Sequence, residues 1–308
     1  MSVNDLERKI KELRALSDEL GKDFSEEIRI MEEKLRESKP HKKEKHAWKR
    51  VQVARHKDRP KTEDYINHIT DDFIELHGDR RFAEDGSIIS GIGLIDGQPV
   101  TIIGHQKGNT TEENIARNFG MPNPEGYRKA LRLMKQAEKF GRPVITLIDT
   151  PGAYCGLGAE ERGQAQAIAE NLLEMSRLNT KTVAIVIGEG GSGGALALSV
   201  SDKIAMLENS VYSVISPEGL ASILWKDAKK APEASEVMKL TAKDLYNLGV
   251  IDDIIQEPKG GAHESPEKMS RNIKEYIKKS LEEIPDSCEE MLEKRYEKIR
   301  SMGKYCKL

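Results

Sequence analysis

The chain has 308 residues, room for one large domain or two ordinary ones. Its 49 Lys and Arg against 52 Asp and Glu leave a formal charge of −3, which excludes a generally basic nucleic-acid binder. Charged residues gather at the ends, 31 in residues 1–61 and 20 in residues 265–308, while residues 62–264 hold 23 of the 25 glycines. A globular core able to bury ample apolar surface is therefore expected between two charged arms.

Two short helices are expected over residues 5–36. Leu6, Ile10, Leu13 and Leu20 make one apolar stripe, and Phe24, Ile28, Met31 and Leu35 make another. Lys39 to Lys61 then carries ten Lys and Arg against Glu44 and Asp58. Such a run can be a patch for a phosphate or an acidic partner. It can equally be a solvated linker.

The core alternates strands and helices. Ile88–Ile95 and Val100–Ile103 flank the turn Asp96-Gly97-Gln98-Pro99, a hairpin signal. A helix follows, with Asn123 as its cap, Pro124 at its first position and Gly141 closing it. Pro143–Ile148 reads as a strand buried on both faces, Gly163–Leu178 as a helix, and Thr182–Ile187 and Lys203–Leu207 as further strands. This order implies an α/β architecture. Residues from Ile273 to Tyr305 read as a mostly polar helical arm. The apolar runs are too short to span a membrane. No apolar signal region opens the sequence, and Cys155, Cys288 and Cys306 form no Cys-x-x-Cys pair. No membrane, no disulfide framework and no metal site on this chain are expected, in a reducing cytoplasm.

Three strands run into glycine-rich loops: Gly104–Gly108, Asp149–Gly158 and Gly188–Gly194. Glycine lets backbone approach a ligand, and a helix start presents free N–H groups, so an anionic oxygen suits such ends. The third loop admits several readings. Gly188-x-Gly190-x-x-Gly193 with Glu208 resembles a dinucleotide site, although the helix after it is short for such a crossover. Gly190-x-Ser192-x-Gly194 fits a nucleophile elbow, with His263 as the downstream histidine and Asp252 or Asp253 as the acid. No lysine follows these glycines, which excludes a P-loop. In a further reading Gly193 and Gly194 act only as backbone donors to an oxyanion.

The stretches Ile103–Gly108, Arg117–Pro122, Glu125–Met134, Ile148–Tyr154, Gly158–Gln164, Val186–Ala195, Tyr212–Gly219 and Glu257–His263 closely resemble the carboxyltransferase alpha subunit of bacterial acetyl-CoA carboxylase. The resemblance covers about residues 47–264. It implies a crotonase-like (ClpP/crotonase) α/β fold, a spiral of ββα units. It divides the chain into a charged helical arm over 1–46, a carboxyltransferase domain over 47–264 and a helical arm over 265–308. It implies carboxyl transfer from carboxybiotin, borne on a carrier protein, to acetyl-CoA, giving malonyl-CoA for fatty acid synthesis. The implied partners are a zinc-bearing beta subunit, in an alpha2beta2 arrangement, the biotin carboxyl carrier protein and biotin carboxylase, which uses ATP. No nucleic acid is expected. The family's oxyanion donors fall on Gly193 and Gly194, and substrate contacts are expected from Gly152, Ala153, Tyr154, Gly190 and Gly191. Cys155 stands where that family's loop usually has proline, which leaves the loop less constrained. A serine hydrolase using Ser192 and a non-catalytic scaffold built on the charged arms are the competing classes.

Overall fold

The computed structural model describes residues 10–13, 24–38 and 46–303. Residues 46–303 form one compact unit, and the described residues before them belong to another. Of the two N-terminal helices, the first lies mostly outside the described residues; the second is α1, Ser25–Ser38.

Among the described residues, eight strands form one sheet. They are β1 (Phe73–Glu75), β2 (Ile88–Ile95), β3 (Gln98–His105), β4 (Val144–Thr150), β5 (Thr182–Gly191), β6 (Lys203–Leu207), β7 (Val211–Ser213) and β8 (Asp253–Ile255). The sheet order is β1-β2-β3-β4-β5-β6-β8, with β7 pairing the end of β5. The first three strands are antiparallel, and β3, β4, β5, β6 and β8 run parallel. The expected hairpin is β2–β3, turning at Asp96 and Gly97, both with positive φ. Together with the helix that follows it, the hairpin makes a ββα unit.

Helices cover both faces. On one lie α3 (Thr62–Ile69) and α9 (Pro266–Glu283); on the other lie α4 (Pro124–Lys139) and α5 (Gln164–Ser176). The strands explain why. Ile145 and Leu147 of β4 and Val183, Ile185 and Ile187 of β5 join the first cluster; Val144, Ile148, Ala184 and Val186 join the second. A period of two therefore feeds two cores at once, which is what a continuous apolar run in a parallel strand means. In chain order α2 (His46–Ala54) precedes α3. Met269, Ile273, Ile277 and Leu281 of α9 are buried in the first cluster, so this part of the C-terminal segment packs into the core. The last described helix, α10 (Cys288–Ser301), sends Arg295 inward to Asp202 and to the carbonyls of Met175, Leu178 and Thr180.

Helix α4 begins at Pro124 and is closed by Gly141 at φ +65°, as expected. Asn123 occupies the cap position, but its side chain does not cap the helix and instead accepts from Arg162. Among the described residues, no helix is long and apolar enough to cross a membrane.

Candidate active site

The parallel strands place the three glycine-rich loops side by side at their carboxyl ends. β5 hands over to the one-turn helix α6 (Ser192–Leu196) through Gly190 and Gly191. Facing it is the loop Pro151–Tyr154 that leaves β4. Thr150 Oγ1 receives the Gly152 N–H at 3.1 Å, and the Tyr154 N–H donates to Pro122 at 3.0 Å. Gln164, buried, donates its amide to Pro122 and to Tyr154 at 2.9 and 2.7 Å, which pins the loop from below.

The glycines of β5 and α6 have different reasons to be there. A Cβ at Gly188 would run into the Asp149 carboxylate, and one at Gly190 would lie 2.7 Å from the Tyr212 ring. A Cβ at Gly191 would strike the Pro151 carbonyl. One at Gly194 would lie 2.5 Å from the Ala153 nitrogen and 2.9 Å from the Tyr127 hydroxyl. These four are required by the protein's own packing. Gly193 differs: a Cβ there meets nothing nearer than Ile168, at 3.8 Å. It is half-exposed and borders an open pocket of about 310 Å³ with Ser192, Leu196, Tyr212, Ser213, Val214, Leu245 and Val250. In the first turn of a helix the N–H groups of Gly193 and Gly194 have no carbonyl four residues back to meet.

The structure therefore brings Gly152 and Ala153 against Gly191 and Gly194. Tyr154 continues that loop, and its ring folds over Gly156. Gly190 packs on Tyr212. Cys155 is exposed.

Charged residues that the sequence did not single out surround this turn. Lys107 donates to Asp149 at 2.7 Å and to Glu189 at 3.1 Å. Burial alone would depress Lys107, but the two carboxylates hold it above its ordinary value. Burial would raise Glu189, but Lys107 and Arg55 hold it below the usual carboxylate range. His105 is fully buried, with the Gly194 and Leu147 backbone near its ring and neither ring nitrogen in a well-formed hydrogen bond; it is driven down to about 3, first by burial and then by the nearby Lys107. The Tyr127 hydroxyl is also buried without a partner, and burial pushes it well above its ordinary value. A signal for the charged set exists in the sequence: Asp149 and Glu189 each follow closely on an apolar run, and a carboxylate drawn out of water needs a counter-charge.

The other readings of the third loop fail on geometry. Ser192 is exposed and held at φ +52°, as in a strained strand-to-helix turn. Its proposed partners are elsewhere. Asp252 accepts from the Ile204 N–H and Lys298, and Asp253 from the Tyr276 hydroxyl, at the amino ends of β6 and β8, opposite the end where Ser192 follows β5. His263 stacks on His56 with ring centroids 3.8 Å apart. For a dinucleotide site, α6 has only five residues, and Glu208 is taken by Arg50 at 3.2 Å.

In the described part of the basic stretch, residues 46–61, Arg55 and Arg59 are engaged within the chain, while Lys49 and Lys57 are exposed. Arg59 donates to the Ile187 carbonyl at 2.7 Å and to both oxygens of Glu257. Arg55 pairs with Glu189 and Glu218 at 2.6 and 2.7 Å. Lys39, Lys42, Lys43 and Lys45 lie outside the described residues.

Comparison with known proteins follows the same lines. Residues 1–303 match the family described as acetyl co-enzyme A carboxylase carboxyltransferase-like. A Bacillus cereus (strain G9842) protein, acetyl-coenzyme A carboxylase carboxyl transferase subunit alpha, is 59% identical over 304 residues, covering 98% of this chain and 94% of its own. The protein of that name from Alkaliphilus oremlandii is 55% identical, covering 98% and 96%. Among solved structures, transcarboxylase 12S superposes with a TM-score of 0.60 at 18% identity, over 77% of this chain and 44% of that one. A Pseudomonas malonate decarboxylase hetero-tetramer superposes at 0.56 and 17%, over 70% and 86%. The superpositions carry the crotonase-like fold. Matched along nearly its whole length, this chain belongs to the acetyl-coenzyme A carboxylase carboxyltransferase family.

Proposed function

We propose that the chain is the alpha half of a split carboxyltransferase, moving a carboxyl group from carboxybiotin to acetyl-CoA to form malonyl-CoA. The observation that carries this reading is the turn at the end of β5. Of its five glycines, only Gly193 could carry a Cβ without a clash, and it borders an apolar pocket. The residues present fit biotin: a largely apolar ring system suits Leu196, Tyr212, Val214, Leu245 and Val250, and a ureido oxygen suits paired backbone donors. When bound, carboxybiotin supplies the carboxyl group and a ureido nitrogen able to take a methyl proton from acetyl-CoA.

The chain's own contribution is electrostatic and positional. The N–H groups of Gly193 and Gly194 favour negative charge on an oxygen placed before them, each donor worth about 2.7–4 kcal/mol in such sites. The Pro151–Tyr154 loop holds the turn from one side, and the largely buried charges of Lys107, Asp149 and Glu189 hold it from behind. No side chain is required as nucleophile, which agrees with Ser192 having neither of its proposed partners. The relatives' names as subunits support a multisubunit enzyme. The finer assignment, a beta subunit bearing zinc and most acetyl-CoA contacts, with a biotin carrier and an ATP-using biotin carboxylase, is part of the proposal, as is a cytoplasmic setting.

The test is carboxyl exchange between malonyl-CoA and biocytin. The isolated chain is expected to be inactive and the chain co-purified with its carboxyltransferase partner active. Transfer by the chain alone, or none by the assembled complex, would overturn the reading.

A further inference from the structure

The glycine turn is strained, and the sheet does not align it. The β4–β5 ladder is regular from Val144/Thr182 to Ile148/Val186, then shifts register, so that Thr150 faces Gly190. Ile187, Gly188 and Glu189 together face the single residue Asp149 at that break. Three residues past Glu189, Ser192 adopts φ +52°. A side chain held there needs surroundings that over-determine the backbone.

A chain of charges spans the break. Lys107, just past β3, reaches Asp149 Oδ1 at 2.7 Å and Glu189 Oε2 at 3.1 Å. The same Asp149 oxygen accepts the Glu189 N–H at 2.9 Å. Gly188 leaves room for that carboxylate. On the outer side Arg55, in the turn just past α2, donates to Glu189 at 2.6 Å and reaches Glu218, in helix α7 (Pro217–Trp225), at 2.7 Å. The ends of three parallel strands are thus fixed to one ammonium, and Glu189 leads directly into Gly190 and the turn.

We propose that Lys107, Asp149 and Glu189 form a charge clamp that sets the aim of the Ser192–Gly194 turn, with Glu189 as a positioning residue for carboxyl transfer. The inference rests on the carboxyltransferase reading. Lys107 faces Asp149, Glu189 and neutral His105; Asp149 also feels Arg59 and Tyr65, and through Glu189 the lysine senses Arg55 and Glu218. Burial opposes its charge, so its proton is held by the two carboxylates together. Removing one lets the proton leave at lower pH, and the clamp then opens.

The experiment measures turnover against pH for the assembled complex with malonyl-CoA and biocytin. Glu189→Gln keeps the shape and removes one counter-charge. It should lower kcat at least about tenfold at neutral pH, since small misplacements of reacting groups carry such penalties. The KM values should stay within about threefold, marking an effect on the chemical step. The alkaline limb of kcat should move down by about one pH unit or more. Glu189→Asp should return the limb toward its parent position. A parent-like kcat and pH profile in Glu189→Gln would overturn the clamp. So would a lost kcat with an unmoved alkaline limb, which marks a merely structural role. Should Glu189→Gln fail to fold, Asp149→Asn leaves Lys107 with Glu189 alone and is read in the same way. An inactive parent complex would instead overturn the carboxyltransferase reading itself.

Discussion

Two adjacent glycines should respond to the same substitution in opposite ways. Gly194→Ala places a methyl 2.5 Å from the Ala153 nitrogen, 2.7 Å from the Gly152 carbonyl carbon and 2.9 Å from the Tyr127 hydroxyl. Two of these are backbone atoms of a loop already fastened through Tyr154 and Gln164, so the neighbour cannot step aside cheaply. Overpacking of this kind costs about 1–3 kcal/mol. For a domain of this size that lowers Tm by about 2–4 °C for each kcal/mol. Gly193→Ala meets only Ile168, at 3.8 and 3.9 Å, which is ordinary contact. Replacing glycine by alanine within a helix gains about 0.5–1 kcal/mol, so the variant should be as stable as the parent or slightly more so. Its methyl nevertheless enters the open space before the donor pair. Thermal and urea unfolding measure the first effect. Exchange kinetics on the assembled complex, varying biocytin and malonyl-CoA separately, measure the second, and Gly193→Ala should impair biocytin use more than malonyl-CoA use. Parent stability in Gly194→Ala would refute the packing between the two loops. Parent kcat/KM for biocytin in a stable Gly193→Ala complex would show that the reacting group does not approach Gly193. Gly194→Pro is a poorer probe of the donor role, because its Cβ meets the same crowded backbone.

Two further outcomes follow from buried and strained groups. His105 has a folded-state value of about 3 against about 6.5 when unfolded, so below pH 6.5 the unfolded chain takes up a proton that the folded chain refuses. Stability is therefore unaffected above that point and drains away as pH falls toward 3; between pH 7.5 and pH 5 the loss is about 2 kcal/mol. His105→Gln should lose correspondingly less over that interval in urea titrations, and identical pH slopes would refute the assignment. Ser192→Gly should relieve a left-handed conformation that costs an L-residue about 1–2 kcal/mol, partly offset by glycine's greater freedom when unfolded. Equilibrium unfolding should show no loss of stability, and turnover should stay within about tenfold of the parent, whereas removal of a true nucleophile costs several orders of magnitude.

Much of the fold was legible because its elements obey local rules. β6 spans Lys203–Leu207 as expected, and β4 and β5 begin within a residue of where apolar β-branched runs put them. Their far ends were missed: β5 continues to Gly191. Glycine and glutamate there have poor strand propensity, and pairing with β7 supplies the hydrogen bonds that propensity does not predict. The cap at Asn123 failed because Arg162 claims its side-chain oxygen from 39 residues away. The pairing of two arginines in the basic stretch was hidden for the same reason. Arg55 and Arg59 find carboxylates at Glu189 and Glu257, more than 130 residues along the chain, and a charge run cannot reveal partners at that separation.

The site itself was legible only in part, and the glycines show why. A glycine-rich strand end reads as backbone open to a ligand, yet Gly188, Gly190, Gly191 and Gly194 are glycines because a carboxylate, an aromatic ring or another loop already fills the space. That crowding still bears on the chemistry. A donor made of backbone has no rotamer to adjust, so its aim is set wholly by what presses on the chain behind it. Pro151 and Ala153 press from one side, and the Lys107 clamp holds from another. Residues that never touch a substrate can thus decide where two N–H groups point. They resemble packing residues and surface charges in the sequence, because their role depends on contacts between distant parts of the chain. Gly193 differs from the other four: with no neighbour nearer to its Cβ position than Ile168 at 3.8 Å, and with the pocket beside it, its backbone is placed to meet something other than the protein.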